Sequence, residues 1–153
     1  MATEAETLQK GRVLIVDDDP HALEILSRLL AREGYACKTA DSGQNGLDLL
    51  TREPFDVIVL DVMMPNMDGL QVCERLRSND ALRSIPVILL TAKDDMETRS
   101  RGMALGVSEY LTKPLNKHEL FTRLRAQLHS REIDRRLAET AAAVSKKKDD
   151  DPS

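Results

Sequence analysis

The stretch VIVLDVMMPNMDG, residues 57–69, decides the architecture. Val57 to Leu60 is an unbroken, β-branched-rich apolar run, extended upstream to Phe55. A short run of this kind, bounded by turn residues, reads as a strand buried on both faces. It ends abruptly on a carboxylate, Asp61. Met64 to Gly69 follows as a loop punctuated by Pro65 and Gly69.

The same grammar repeats on either side. Val13 to Val16 is a second buried strand, and it runs into Asp17, Asp18 and Asp19. Asp19 offers an N-cap oxygen and Pro20 suits the first helical turn. Ala22, Leu23, Leu26, Leu29 and Leu30 then recur at helical spacing, and Gly34 supplies a stop. Tyr35 to Ala40 is a weaker, partly polar strand, expected at or near a sheet edge. Asp41 or Ser42 caps a helix reaching about Leu50. Leu70 to about Arg77 is the next helix. Val87 to Leu90 is the third strong strand and delivers Thr91 and Ala92. A polar helix is expected from about Asp94 to Leu105. Tyr110 to Thr112 closes a last short strand before Lys113 and Pro114. The final helix starts near Asn116 and carries Leu120, Phe121, Leu124 and Leu128 on one face.

Strand and helix therefore alternate through five units, which predicts an α/β fold: a doubly wound, five-stranded parallel sheet with helices on both faces. At this length the flavodoxin-like strand order 2-1-3-4-5 fits best, with a ligand site outside the carboxyl ends of strands 1 and 3. Asp17, Asp18 and Asp61 fall there, with Thr91 and Lys113 at the ends of strands 4 and 5.

Composition agrees. Hydrophobic residues make up 41% of 153 and aromatics 3%, with no Trp, so the expected core is aliphatic and one domain in extent. A net charge of −4 argues against a broad nucleic-acid footprint. The acidic Met1–Gln9 stretch is unlike a signal peptide, and the apolar runs are too short to span a bilayer, which predicts a cytoplasmic protein. Cys37 and Cys73 read as small buried hydrophobes in a reducing compartment. His21, His118 and His129 read as solvated helix residues. Residues 1–10 are expected to be flexible, 130–145 to form a helical extension and 146–153, with its KKKDDD run, to be disordered.

Three carboxylates converging in one pocket repel one another and need neutralising. A hard divalent cation with oxygen ligands does this, and Mg²⁺ suits few carboxylates, several waters and a phosphate oxygen. An aspartate beside such an ion can take a phosphoryl group as an acyl phosphate. Lys113 can pair with one phosphoryl oxygen and Thr91 can donate to another. Singly, each of these is an ordinary surface or strand-end residue; Asp19 reads as no more than a cap.

The segments VLIVDDDP (13–20), VIVLDVMMPNMDG (57–69), VILLTA (87–92) and YLTKP (110–114) resemble the receiver domain of two-component response regulators, chemotaxis-type and flavodoxin-like, over about residues 11–129. The resemblance implies Asp61 as phosphoryl acceptor. It implies an Mg²⁺ site of Asp17, Asp18, Asp61 and the backbone carbonyl of Met63, with Asp18 preferred over Asp17 as direct ligand. It implies Thr91 as switch hydroxyl, Lys113 as phosphate-binding lysine, Tyr110 as aromatic switch residue, Ala92 as the small neighbour keeping the phosphate accessible, and a cis bond before Pro114. The turn at Gly106–Glu109 departs mildly from the family pattern. A sensor histidine kinase or histidine phosphotransfer protein would supply the phosphoryl group, and the receiver would catalyse only its own aspartyl phosphorylation and dephosphorylation.

The fourth helix, fifth strand and fifth helix form the family's usual output surface. Only about two dozen residues follow position 129, too few for a DNA-binding domain. The expected output is therefore contact with a downstream protein, without direct DNA or membrane binding, and with phosphorylation-dependent homodimerisation open. Three other readings compete. The chain could be a receiver cut from a hybrid kinase or cyclase regulator. It could be a pure interaction module. The Asp17-x-Asp19 spacing superficially fits a haloacid-dehalogenase-like phosphatase, but the neighbouring residues and a late acidic pair do not follow.

Overall fold

The computed structural model describes residues 10–92 and 95–149, with side chains as far as Val144. The strands are β1 (Arg12–Val16), β2 (Ala36–Ala40), β3 (Val57–Asp61), β4 (Val87–Ala92) and β5 (Glu109–Lys113). The helices are α1 (Pro20–Arg32), α2 (Gly43–Arg52), α3 (Gly69–Arg77), α4 (Met96–Ala104) and α5 (Lys117–Asp149). All pairings are parallel and the order is β2-β1-β3-β4-β5, as the sequence predicts. The partly polar β2 is one edge.

Side chains alternate across a strand, so each central strand feeds two cores. Leu14, Val16, Ile58, Leu60 and Leu89 pack against Leu50 of α2 and Leu70, Val72, Cys73 and Leu76 of α3. Val13, Ile15, Val57, Val59, Ile88, Leu90 and Leu111 pack against Leu23, Leu26 and Leu30 of α1 and Leu120, Phe121 and Leu124 of α5. On the first face α4 lies close, through Gly102 beside Leu89. Burial on both faces is why β1, β3 and β4 are almost wholly apolar until their last residues.

Caps fix where the helices begin. The Asp19 carboxylate accepts from His21 N at 3.0 Å, with Pro20 at the first position of α1. Ser42, rather than Asp41, caps α2 by accepting from Asn45 N at 3.1 Å. Asp68 and Gln71 form a reciprocal capping box on α3. Asn116 accepts from Glu119 N at 3.0 Å and starts α5. Gly34, at φ 98°, takes the left-handed conformation that ends α1.

Two sequence expectations meet a different outcome or fall outside the described residues. The charged run expected to be disordered from Lys146 is helical through Asp149, because α5 continues without a break for 33 residues. Lys is a good helix former, and extending an existing helix is far easier than nucleating one. Residues 1–9, most of the stretch expected to be flexible, and 150–153 lie outside the described residues. Arg131 and Arg135 hold this helix to the base of the sheet: their guanidinium nitrogens lie 4.0 and 3.5 Å from Asp56 Oδ1, and Arg131 donates to Ser84 O at 3.3 Å. Cys73 is buried and Cys37 half-buried, both free, and burial pushes their thiols up to about 12 and about 11. They are packing residues, without thiolate character. Among the described residues, no helix is long and apolar enough to cross a membrane.

Gly69 joins fold to site. Its N–H donates to Val62 O at 3.0 Å, pressing the start of α3 against the end of β3. A Cβ there would stand 2.6 Å from Asp61 O and 2.9 Å from Val62 Cα, both backbone atoms that cannot step aside. Gly69→Ala is expected to lower unfolding free energy by about 1–3 kcal/mol in urea titrations, as overpacking does. Unchanged stability would show that the loop relaxes around the methyl.

Candidate functional site

Sheet register brings the chemistry together. Val16 pairs with Leu60, so the residues that follow them, Asp17 and Asp61, emerge side by side where the strand order reverses. Asp61 is opposite Leu90, Thr91 opposite Thr112 and Ala92 opposite Lys113. All five predicted side chains thus stand at one edge of the sheet, delivered by β1, β3, β4 and β5.

Asp17 and Asp61 are each 2% exposed and Thr91 is 1% exposed, the only buried polar or charged residues among those described. Asp18 is exposed. One carboxylate oxygen from each of Asp17, Asp18 and Asp61 lies within 4.8 Å of the others. Lys113 reaches in from β5: its Nζ is 2.8 Å from Asp61 Oδ1 and 4.0 Å from Asp17 Oδ2. The Lys113 contact with Asp61 Oδ1 is a close ion pair between ammonium and carboxylate. Asp17 Oδ1 accepts from Asp19 N at 2.9 Å, which turns its carboxylate inward.

Three negative charges face one positive charge. Burial, and then the neighbouring Asp61, push the Asp17 carboxyl above its usual 3.8, against the lowering effect of the Asp19 N–H and Lys113. For Lys113, burial pulls its pKa down, but the contact with Asp61 and the charges of Asp61, Asp17 and Asp18 prevail and raise it above 10.5. The donor set is all hard oxygen, and its charge is two short of neutral. These residues fit a divalent, oxygen-seeking cation.

The other predicted residues surround this cluster. Thr91 Oγ1 donates to Ala92 O at 3.0 Å. Met63, two residues past Asp61, has a 71% exposed side chain. The Lys113–Pro114 peptide is cis. Tyr110 is 36% exposed, and its ring carries the Arg99 guanidinium 4.7 Å from the centroid. Glu109 pairs with Arg123 at 3.5 Å. Sequence reading passed over two contacts here. Arg99 lies in a polar helix whose pattern gives no sign that it meets β5. Arg77 donates to the carbonyls of Leu105 and Gly106, and to Arg83 O at 2.7 Å, tying α3 to the turn before β5.

Comparison with known proteins agrees with this geometry. The chain matches the response regulator receiver domain family over residues 13–125, and it belongs to that family. Response regulator MprA of Mycolicibacterium vanbaalenii is 42% identical over 131 residues, covering 86% of this chain and 56% of the relative. Response regulator MprA of Mycobacterium leprae is 42% identical over 123 residues, covering 80% and 53%. The chain spans about half the length of these curated relatives. Chemotaxis protein CheY4 of Vibrio cholerae superposes with a TM-score of 0.72 at 32% identity, over 76% of this chain and 98% of that one. The signal receiver domain of a signal transduction histidine kinase from Syntrophus aciditrophicus gives 0.74 at 34%, over 78% and 91%. The domain is thus a phosphorylation-switched receiver of the response regulator family.

The raised Asp17 pKa sets a sign. Folding then costs most where Asp17 is ionised, above its raised value, and the cost disappears as pH falls toward 3.8. Lys113 works the other way: its stabilising share is full below 10.5 and is lost as pH climbs through the raised value. Asp17→Asn keeps an oxygen for Asp19 N and removes a charge. In chelator, the variant is expected to gain on the order of 1–3 kcal/mol at neutral pH, the scale of one like-charge contact at this distance. The gain should vanish toward pH 3 in urea titrations; a loss of stability at neutral pH would contradict the charge argument.

Proposed function

We propose that Asp61 is the phosphoryl acceptor, fed by the phosphohistidine of a sensor histidine kinase or histidine phosphotransfer protein. One observation carries this: two buried carboxylates, a third at the rim, and Lys113 converge at the strand-order reversal, with a buried Thr91 hydroxyl beside them.

In the transfer, a carboxylate oxygen of Asp61 attacks phosphorus and forms an acyl phosphate. The P–N bond breaks, and its electron pair stays on the donor imidazole. Lys113 remains protonated and moves its charge from the Asp61 carboxylate to a phosphoryl oxygen. Thr91 exchanges its local bond to Ala92 O for another phosphoryl oxygen. Asp17, Asp18, Asp61 and the Met63 backbone carbonyl would hold Mg²⁺, which supplies charge neutralisation between nucleophile and phosphate when bound. Ala92, small and exposed, leaves the phosphorus open to donor and later to water. The domain thereby catalyses its own phosphorylation and dephosphorylation.

Capture by Thr91 and Lys113 favours one of two pre-existing arrangements, with Tyr110 reporting the change on the α4–β5–α5 face. A downstream protein, or a second phosphorylated copy, reads that face. The haloacid-dehalogenase reading finds no support, since Asp19 serves as the cap of α1 and not as part of a catalytic pair.

Incubation with a small phosphodonor and Mg²⁺ should add one phosphoryl group by intact mass, and chelator or Asp61→Asn should remove the adduct. Thr91→Ala should still be phosphorylated yet fail to shift the α4–β5 resonances in NMR spectra. Labelling that persists in Asp61→Asn would move the acceptor elsewhere.

A further inference from the structure

Arg99 makes a contact with Tyr110 that the phosphate-site residues do not themselves account for. It lies in the second turn of α4, the helix that follows the strand carrying Thr91. Asp95 anchors this end of the helix: its carboxylate accepts from Thr98 N at 3.0 Å and from Thr98 Oγ1 at 2.5 Å, while Arg99 N donates to Asp95 O at 3.2 Å. From there the guanidinium reaches across to β5 and stacks over Tyr110. Parallel register pairs Leu89 with Tyr110 and Thr91 with Thr112, so Thr91 and Tyr110 belong to the same sheet face, one strand apart.

The geometry points to Arg99 as a positioning residue that latches the Tyr110 ring in its outward orientation. The inference rests on the reading of Tyr110 as the switch. The latch adds a cost to the turn of Tyr110 that accompanies capture by Thr91. The cation is carried by the helix that follows Thr91, and the ring by the neighbouring strand. When the Tyr110 ring turns inward it must leave the cation over its face, so the stacked state opposes the turn. A guanidinium over an aromatic face at a partly exposed site shifts such a ring equilibrium roughly two- to fivefold.

The chain has two tyrosines and no Trp, so tyrosine signals are simple to assign. Tyr35 is buried at 5% exposure and serves as an internal reference. The test uses the full chain with ring-labelled tyrosine, comparing wild type with Arg99→Met and Arg99→Lys. Arg99→Met keeps aliphatic bulk and removes the charge; Arg99→Lys keeps a cation. In Arg99→Met the Tyr110 ring resonances should move toward the phosphorylated position, its quenching by a soluble agent should fall, and Tyr35 should stay unchanged. Arg99→Lys should restore much of the wild-type behaviour. Tyr110 signals that are the same in wild type and Arg99→Met would overturn the latch.

A second measurement separates the two layers. The rate of phosphorylation by a small phosphodonor should rise about two- to fivefold in Arg99→Met. If the ring moves and this rate stays at the wild-type value, the latch stands and the role of Tyr110 as the switch falls.

Discussion

The ion pair between Lys113 and Asp61 holds the rest of the arrangement in balance. Two buried carboxylates at one sheet edge are costly neighbours, and a single ammonium 2.8 Å from one of them offsets part of that cost. The offset is deliberately incomplete in electrostatic terms: two negative charges remain uncompensated in the cluster. A site in that state attracts cations and, once a cation is bound, the dianionic phosphoryl group that the lysine is already placed to meet. Burial, and then the Asp61 charge, make Asp17 resist ionisation, while the neighbouring carboxylates make Lys113 resist losing its proton.

The sheet supplies that balance by topology. Asp17 and Asp61 are 44 residues apart in sequence, yet adjacent because β1 and β3 pair directly. The connection between them leaves the sheet edge free at the point of reversal. Both strands are apolar until their final residues, so burial holds the register and the carboxylates inherit their positions from it. Gly69 closes the loop behind Asp61 tightly enough that the Asp61 backbone is packed against α3.

Strand-end chemistry was legible in the sequence for a physical reason. A strand buried on both faces leaves an unbroken apolar run, and the first carboxylate after it must lie at its end; Asp17 and Asp61 announce themselves in this way. Asp19 and Pro20 were legible because capping is local. Arg99 over Tyr110 was not, since a contact between a polar helix and an edge strand leaves no periodic trace. Arg77 was opaque likewise: its partners are backbone carbonyls nearly thirty positions away, which any residue types could have provided. The continuation of α5 through Asp149 was opaque because a charged run shows no packing face, while Lys extends a helix already in place.

That helix gives the domain a mechanical dimension. Asp56, its anchor through Arg131 and Arg135, immediately precedes β3, and Asp61 is the last residue of the same strand. Asp61 and this pivot are thus at the two ends of one strand. From Ile133 to Val144 every residue of α5 is exposed, so the outer part is cantilevered from that pivot. Beyond Arg135 it extends about 20 Å, and a tilt of ~10° would sweep its far end through about 3–4 Å. The geometry is that of a needle on a gauge, with its fulcrum at the strand that ends in Asp61.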